Sequence, residues 1–279
     1  MKKRKRGLYI AGLILFLIAT LGPFLWAFVL SVTPEHAMMK KGAGLLPEKV
    51  IWNNYRILLD SEGQKGMLFR AGIRNSLKAI AVTAFVGLPV SVLSAWALGR
   101  MEFKGKTFIN NCLLITMVIP IMATIIPIYR IFVTHDLLDR LFYLSLVYVS
   151  SYLPMLVWLM GNYFATIPKE LEEAALVDGC SRRQCFFRII LPTSYPIILS
   201  GLLMIVLNTW SKFQIPLILT NSVAQKPVAI VVSEFVTKDT INYGITAAAG
   251  MLALVPPAVM ACLFRKALVN GMMQGAVKG

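Results

Sequence analysis

Residues 172–192 read EEAALVDGCSRRQCFFRIILP, a charged passage that separates two of the most apolar segments of the chain. The whole chain has 279 residues, of which 57% are hydrophobic and only 15% are charged. Its mean hydropathy is +0.71, far above the value expected for a soluble domain of this length. The composition therefore predicts a membrane protein, and the charged passage is expected to lie outside the bilayer.

Several apolar runs of about 20 residues are long enough to cross a hydrocarbon core of roughly 30 Å. Six are predicted to be spans, so that the fold class is an all-α polytopic membrane protein: residues 8–32, 79–98, 107–129, 141–164, 197–219 and 245–264. Lys212 interrupts the fifth run, which leaves its outer end the least defined. Prolines inside the runs, including Pro120 and Pro216, can kink the helices. The first run exceeds the apolar region of a signal peptide, so we expect it to remain as an uncleaved span.

Basic residues mark one side of the predicted spans. They cluster in residues 2–6, 100–106, 169–188 and 265–278, whereas the short loops on the other side carry fewer of them. Because positively charged loops remain in the cytoplasm, both termini and the passage 172–192 are predicted to be cytoplasmic. The net charge of +15 is therefore attributed to membrane topology rather than to nucleic-acid binding.

Several classes of function lack the residues that they need. No acidic residue lies inside the predicted spans, where ion-driven carriers usually bind their driving ion. The stretch GRMEFKGKT at 99–107 has five residues between its glycines, whereas a phosphate-binding loop has four. No catalytic order is recognisable, and the cysteines show no spacing typical of a metal site or disulfide framework, so no catalytic or metal site is predicted. A self-contained ion-coupled carrier or channel for a small polar solute remains the alternative function.

The first part of the charged passage is predicted to form a short helix. Pro168 and the glutamates within 170–173 favour a helix start, and Gly179 favours a stop after about Asp178. The small alanines at 174–175 make this helix thin enough to enter a groove on another protein. An ordinary amphipathic connector between two spans has the same pattern.

The second part is predicted to form another helix at an angle to the first. Ser181 and Gln184 have the spacing of a capping box. Arginines alternate with phenylalanine and isoleucine up to Pro192, a pattern typical of a helix that lies on the membrane surface or under the spans. Pro192 is expected to end this helix.

The motif Glu173-Ala174-Ala175, Gly179, Ile189-x-Leu191-Pro192 has the spacing EAA-x3-G-x9-I-x-LP. In this motif the chain resembles the inner-membrane permease subunits of ABC importers. The resemblance covers nearly the whole chain, and its details are similar to the maltose-type carbohydrate-uptake branch. The other stretches that carry it are 69–77, 95–106, 119–120, 126–129, 167–179 and 271–279.

The resemblance implies the type I ABC importer permease fold, with residues 1–279 as a single transmembrane domain, a coupling-helix loop at 165–193 and a cytoplasmic tail at 265–279. It implies that the loop couples the spans to an ATPase through Glu173, Ala174, Ala175, Asp178, Gly179, Ile189, Leu191 and Pro192. It further implies a tail contact with the ATPase through Gly275, Ala276, Val277, Lys278 and Gly279. The chain would then translocate a sugar or oligosaccharide inward by alternating access without hydrolysing ATP itself.

The partners implied by the resemblance are a second, different permease chain, two cytoplasmic ATPase subunits and an extracytoplasmic solute-binding protein. ATP and Mg²⁺ would be bound by the ATPase subunits, so no cofactor is expected in this chain. The loop 33–74 is expected to form part of the surface that meets the binding protein. The expected location is the bacterial cytoplasmic membrane.

Two positions depart from the pattern of the family. Relatives often read Trp-Asn-Glu-Phe near the end of the fifth span, whereas this chain has Trp210-Ser211-Lys212-Phe213, with a base in place of an acid. Cys180 replaces a usual alanine. Because aromatic and amide side chains suit sugars, Asn75, Tyr129 and Trp210 are predicted to line the substrate pathway, although such side chains also pack at membrane interfaces.

Overall fold

The structure is a computed structural model that describes residues 2–38, 44, 46–236 and 242–276, without the side chains of residues 2–5, 8 and 265–276. It divides into two compact units, residues 1–73 with 228–255 and residues 74–227 with 256–279. The helices are α1 Lys2–Ser31, α2 Glu35–Met38, α3 Asn53–Leu59, α4 Gln64–Arg100, α5 Lys106–Val118, α6 Ile121–Thr134, α7 Leu141–Thr166, α8 Glu170–Val177, α9 Arg182–Cys185, a π-helical turn Phe186–Ile190, α10 Leu191–Thr193, α11 Tyr195–Trp210, α12 Gln214–Leu219, α13 Val228–Glu234 and α14 Tyr243–Ala276.

Four of the described helices are long and apolar enough to cross a membrane. They are α1, α4, α7 and α14, in which the candidate spans cover Tyr9–Ser31, Gln64–Arg100, Leu141–Thr166 and Tyr243–Phe264. These spans overlap the first, second, fourth and sixth predicted runs. Among the described residues the number of spans rises to six when each of two bent helix pairs is counted as one span. This architecture confirms the predicted all-α polytopic fold.

The third predicted span, residues 107–129, is not one continuous helix. α5 ends at Val118, α6 begins at Ile121, and the two helices are bent by 97°. Pro120 has no backbone N–H to donate and disfavours helical backbone at the residue before it. Ile119 accordingly has a ψ of 117°, in the extended region. The third predicted span is therefore bent at Pro120, one of the prolines that were expected to kink their helices.

The fifth predicted span, residues 197–219, is also interrupted. α11 ends at Trp210, and α12 begins only at Gln214. In a continuous helix Pro216 could not donate to the carbonyl of Lys212, and its ring would clash with that carbonyl. As the third residue of α12, Pro216 instead lies in a first turn, where no intrahelical donor is needed. The break leaves Lys212 in a non-helical connection, at the position where the sequence already showed an interruption of the apolar run.

α7 is the central helix of the unit formed by residues 74–227 and 256–279. It contacts α5, α11 and α12, and Gly99 of α4 faces Gly161 of α7. A Cβ placed on Gly99 would lie 2.8 Å from the carbonyl oxygen of Gly161, and one placed on Gly161 would lie 3.6 Å from the carbonyl oxygen of Ala95. Small residues of this kind allow membrane helices to pack backbone against backbone.

In the unit formed by residues 1–73 and 228–255, the end of α1 is tied to the start of α3. The side-chain amide of Asn54 donates to the carbonyl of Ser31 at 2.9 Å, and the hydroxyls of Ser31 and Tyr55 lie 2.7 Å apart. Earlier in α1, large apolar side chains from Tyr9 to Phe28 are exposed. In a membrane protein such a surface is expected to face lipid or another subunit.

Candidate functional site

The first half of the charged passage forms α8, which has glutamates at 170, 172 and 173 in its first turn. The helix ends in a Schellman motif around Gly179, whose φ is +84°. The N–H of Gly179 donates to the carbonyl of Leu176 at 3.1 Å, and the N–H of Cys180 donates to that of Ala175 at 2.9 Å. Glycine reaches a positive φ without a Cβ clash. Gly179 therefore ends α8 and redirects the chain, and the predicted helix stop is confirmed.

The second half begins with the predicted capping box. The Ser181 N–H donates to Oε1 of Gln184 at 2.7 Å, and the Gln184 N–H donates to Oγ of Ser181 at 3.3 Å. The helix then continues through a π-helical turn into α10, which contains Pro192, and bends by 74° at Ser194 into α11. The helix therefore ends at Thr193, one residue beyond the predicted end at Pro192. In a π turn each backbone N–H donates to the carbonyl five residues earlier. This turn comes shortly before Pro192, which has no N–H to donate to the carbonyl four residues earlier.

The guanidinium of Arg100, the last residue of α4, holds α8 in place. Its Nε donates to Oε1 of Glu172 at 2.7 Å, and the Arg100 side chain is only 4% exposed. Its other nitrogens donate to the carbonyls of Phe164 at 3.3 Å, Ile167 at 2.5 Å and Pro168 at 3.4 Å. Because the last carbonyls of a helix have no intrahelical donor, Arg100 caps the end of α7 while it binds α8.

One turn before Arg100, Trp96 packs against the second half of the passage. Its ring centroid lies 4.6 Å from that of Phe186, and Phe186 and Cys185 are both buried. Burial raises the pKa of the Cys185 thiol, and the neighbouring carboxylate of Glu172 acts in the same direction. The last turn of α4 thus contacts both halves of the coupling passage.

Sequence reasoning did not identify Trp96, Arg100 and Phe186 as site residues. A signal was present, because Arg100 is the first charge after a long apolar run and lies within the stretch 95–106 that carries the family resemblance. The charge of Arg100 was used only to predict which side of the membrane its loop faces. Its partners lie more than 60 residues away along the chain, so no local pattern could show them.

The predicted coupling residues lie in different environments. Glu173, Ala174, Asp178, Gly179 and Pro192 are exposed, Ile189 and Leu191 are half-buried, and Ala175 is buried. Ala175 therefore faces the protein, whereas Ala174 faces outward. Of the predicted tail contacts, Gly275 and Ala276 form the end of α14, and Val277, Lys278 and Gly279 lie outside the described residues.

The three predicted pathway residues also differ. Asn75 is 2% exposed, and its amide nitrogen donates to the carbonyls of Ala224 at 2.9 Å and Lys226 at 3.1 Å. Both amide hydrogens are therefore used to hold the loop after α12. Trp210 is buried and Tyr129 is exposed. Their part in a substrate pathway stays a prediction.

The fold is that of ABC importer permeases. A bacterial ABC transporter involved in the import of the acidic polysaccharide alginate matches with a TM-score of 0.80 and 20% identity, over 95% of this chain and 97% of that one. The MetNI methionine ABC transporter in an inward-facing conformation matches with a TM-score of 0.56 and 15% identity, over 74% of this chain and 97% of that one. At these sequence identities the two matches show that the fold is similar.

Sequence comparison adds the family. Residues 87–273 match the binding-protein-dependent transport system inner membrane component family, and the chain belongs to it. It is 31% identical to the trehalose/maltose transport system permease protein MalG of Thermococcus litoralis, over 99% of this chain and 98% of that protein. It is 27% identical to the trehalose transport system permease protein SugB of Mycobacterium tuberculosis, over 92% of this chain. It is 26% identical to the diacetylchitobiose uptake system permease protein DasC of Streptomyces coelicolor, over 97% of this chain.

The protein is therefore a multi-pass membrane permease subunit of an ABC importer. It is a transporter component and not an enzyme, because ATP hydrolysis in such systems belongs to separate subunits. The family match and the fold support this function over a self-contained ion-coupled carrier or channel. A permease of this kind acts together with partner subunits.

Proposed function

We propose that this permease carries a sugar or oligosaccharide into the cytoplasm by alternating access. It would act with a second permease chain, two cytoplasmic ATPase subunits that bind ATP and Mg²⁺, and an extracytoplasmic solute-binding protein. The relatives named for trehalose, maltose and diacetylchitobiose transport support the substrate class. The clusters of basic residues support cytoplasmic termini, and residues 1–279 are proposed to act as one transmembrane domain.

The outer face of α8 is the observation that carries the coupling proposal. Ala174 and Val177 are both exposed there, and Val177 is 88% exposed. The opposite face is anchored by the buried Ala175 and by the Arg100–Glu172 ion pair. An exposed valine beside a small residue on a rigidly held helix is typical of a surface that docks into a groove on another protein.

The predicted coupling residues divide the work along this passage. Glu173, Ala174, Asp178 and Gly179 would contact the ATPase, because their side chains or backbone are exposed. Ala175, Ile189, Leu191 and Pro192 would join that contact to the permease. A second contact is proposed for tail residues 275–279.

The contacts of Arg100 and Trp96 with the passage offer a mechanical route. A movement of α8 with the ATPase would be passed to α4 and α7 through Arg100 and to α11 through the bend at Ser194. ATP binding then favours one of two arrangements of the spans only if the ATP-bound ATPase subunits bind that arrangement more tightly than the other. The cavity would open outward when the ATPase subunits close.

The test is Ala174→Trp in the assembled transporter. A large side chain at this exposed position should reduce uptake and substrate-stimulated ATP hydrolysis more than tenfold, because it fills the groove into which α8 docks. Membrane insertion of the chain should be unchanged. Lys104→Trp is the matched control, since Lys104 is exposed in a different basic loop. Unchanged uptake and ATP hydrolysis in Ala174→Trp would contradict the coupling role.

A further inference from the structure

The interruptions of the third and fifth predicted spans meet at one cavity. It has a volume of about 380 Å³, and its lining includes Ile121, Asn208, Ser211, Lys212, Phe213 and Gln214. Ile121 is the first residue of α6, directly after the bend at Pro120, and residues 211–213 form the connection between α11 and α12. Two broken helices therefore border the same space.

Both interruptions lie at a similar depth. α5 has 13 residues before its break, which correspond to about 20 Å at 1.5 Å per residue. α11 has 16 residues before its break, which correspond to about 24 Å. Both helices start next to basic loops, and the hydrocarbon core is roughly 30 Å thick. The cavity is therefore placed within the bilayer, towards the face opposite the basic loops, where broken backbone is tolerated if it is buried in protein or lines a water-filled cavity.

Lys212 brings a positive charge to this cavity and is half-buried. The ion pairs in the described part of the chain are Arg100–Glu172, Lys106–Glu102 and Arg140–Asp136, and none of them includes Lys212. A lysine at membrane depth is costly, and such a residue normally has an anionic or carbonyl partner. The charge of Lys212 is thus available to a partner that enters the cavity.

The neighbouring groups suit an anion that also carries hydroxyls. The amide nitrogen of Asn208 donates to the carbonyl of Met204 at 2.9 Å, which directs this polar side chain while its amide oxygen can accept a further bond. Gln214 is exposed and brings a second amide to the lining. The N-terminal end of the 14-residue α6 adds a positive partial charge near Ile121.

We propose that this cavity is a subsite of the solute pathway that binds the carboxylate of an acidic sugar residue, with Lys212 as its counter-charge. This inference rests on the importer function proposed above and narrows its substrate class to acidic oligosaccharides. The cavity volume falls in the lower part of the range of small-molecule pockets, which suits one sugar ring.

The test measures the electrostatic potential of the cavity with a cysteine reporter. In the assembled transporter, the native cysteines are replaced by serine and Ser211→Cys is introduced at the cavity. Its labelling rates with sulfonate-bearing and trimethylammonium-bearing methanethiosulfonates are then compared. The ratio of anionic to cationic rates is expected to be about tenfold higher with Lys212 than in Lys212→Met. Lys212→Glu should reverse the preference.

A matched control and a protection experiment complete the design. Lys104→Met removes an exposed charge outside the cavity and should leave the rate ratio unchanged. Trigalacturonate should slow labelling of the reporter, whereas maltotriose at the same concentration should not. A rate ratio that does not depend on Lys212, or equal protection by the two trisaccharides, overturns the proposal.

Two other occupants of the cavity give distinct results. The reporter could be labelled more slowly in phosphatidylglycerol nanodiscs than in phosphatidylcholine nanodiscs while trigalacturonate gives no protection. That result overturns the proposal and assigns Lys212 to a lipid headgroup. A reporter that shows no anion preference until the second permease is removed also overturns it, because Lys212 then pairs with that subunit. In either case some ATP-dependent uptake of a sugar would still be measured, whereas failure of the proposed function would remove ATP-dependent uptake of every sugar.

Discussion

Arg100 is expected to be the main anchor of the coupling passage, and Arg100→Met tests this role. Methionine preserves part of the buried aliphatic stem but removes every donor of the guanidinium. The substitution leaves Glu172 without its 2.7 Å partner, and it also leaves the carbonyls of Phe164, Ile167 and Pro168 without the donor that caps the end of α7. The end of α7 and the first turn of α8 therefore both lose their connection to α4.

The expected magnitude follows from burial. Arg100 is 4% exposed and Glu172 is 27% exposed, so the pair is poorly screened by solvent. Removing one partner of such a pair costs about 3–5 kcal/mol. A cost of about 3 kcal/mol to the local stability of α8 corresponds to roughly a 100-fold increase in its opening equilibrium. Glu172→Gln retains an acceptor for Nε and loses only the charge, so its cost should be about 1–2 kcal/mol.

The assay is hydrogen–deuterium exchange of α8 in the assembled transporter. The amides of Glu173 and Asp178, which donate to Lys169 and Ala174, should lose roughly 100-fold of their protection in Arg100→Met and about tenfold in Glu172→Gln. The control is Lys106→Met, which breaks an i,i+4 pair whose glutamate is 83% exposed, and it should leave α8 unchanged. Unchanged protection in Arg100→Met, or a larger loss in Glu172→Gln, would refute this reasoning.

Two further predictions concern packing and thiol chemistry. Gly99→Ala should destabilise the α4–α7 contact by about 1–3 kcal/mol, because its Cβ would lie 2.8 Å from the backbone oxygen of Gly161. Gly161→Ala should have less effect in a thermal unfolding assay, because its Cβ would lie 3.6 Å from the nearest atom, the carbonyl oxygen of Ala95. Equal effects of the two substitutions would contradict the packing argument. In variants that retain a single cysteine, maleimide should label Cys180 at least tenfold faster than Cys185 at pH 8, because burial raises the pKa of the Cys185 thiol and limits access to it. The labelling of Cys185 should rise only at higher pH, and equal rates at pH 8 would contradict this assignment.

Local patterns predicted the elements whose causes are local. The stop at Gly179 needs a residue that tolerates positive φ, and the capping box needs only Ser181 and Gln184 at the right spacing, so both were visible in the sequence. Pro120 marked a possible kink in the third span, but the size of the bend, 97°, was not visible in the sequence. Hydropathy reports whether a segment tolerates lipid, and it does not report whether its helix is continuous.

The sequence by itself determined that this chain is a helical membrane protein, where its charged passage bends, and which motif marks it as resembling an importer permease. The first two properties follow from composition and from contacts within a few residues, and the third rests on the resemblance to the family. Only the tertiary structure decided that Arg100 anchors the passage, that Gly99 meets Gly161, and that the interruptions near Pro120 and Lys212 border one cavity. Each of these contacts joins segments far apart along the chain, and their proximity depends on how the helices pack around α7.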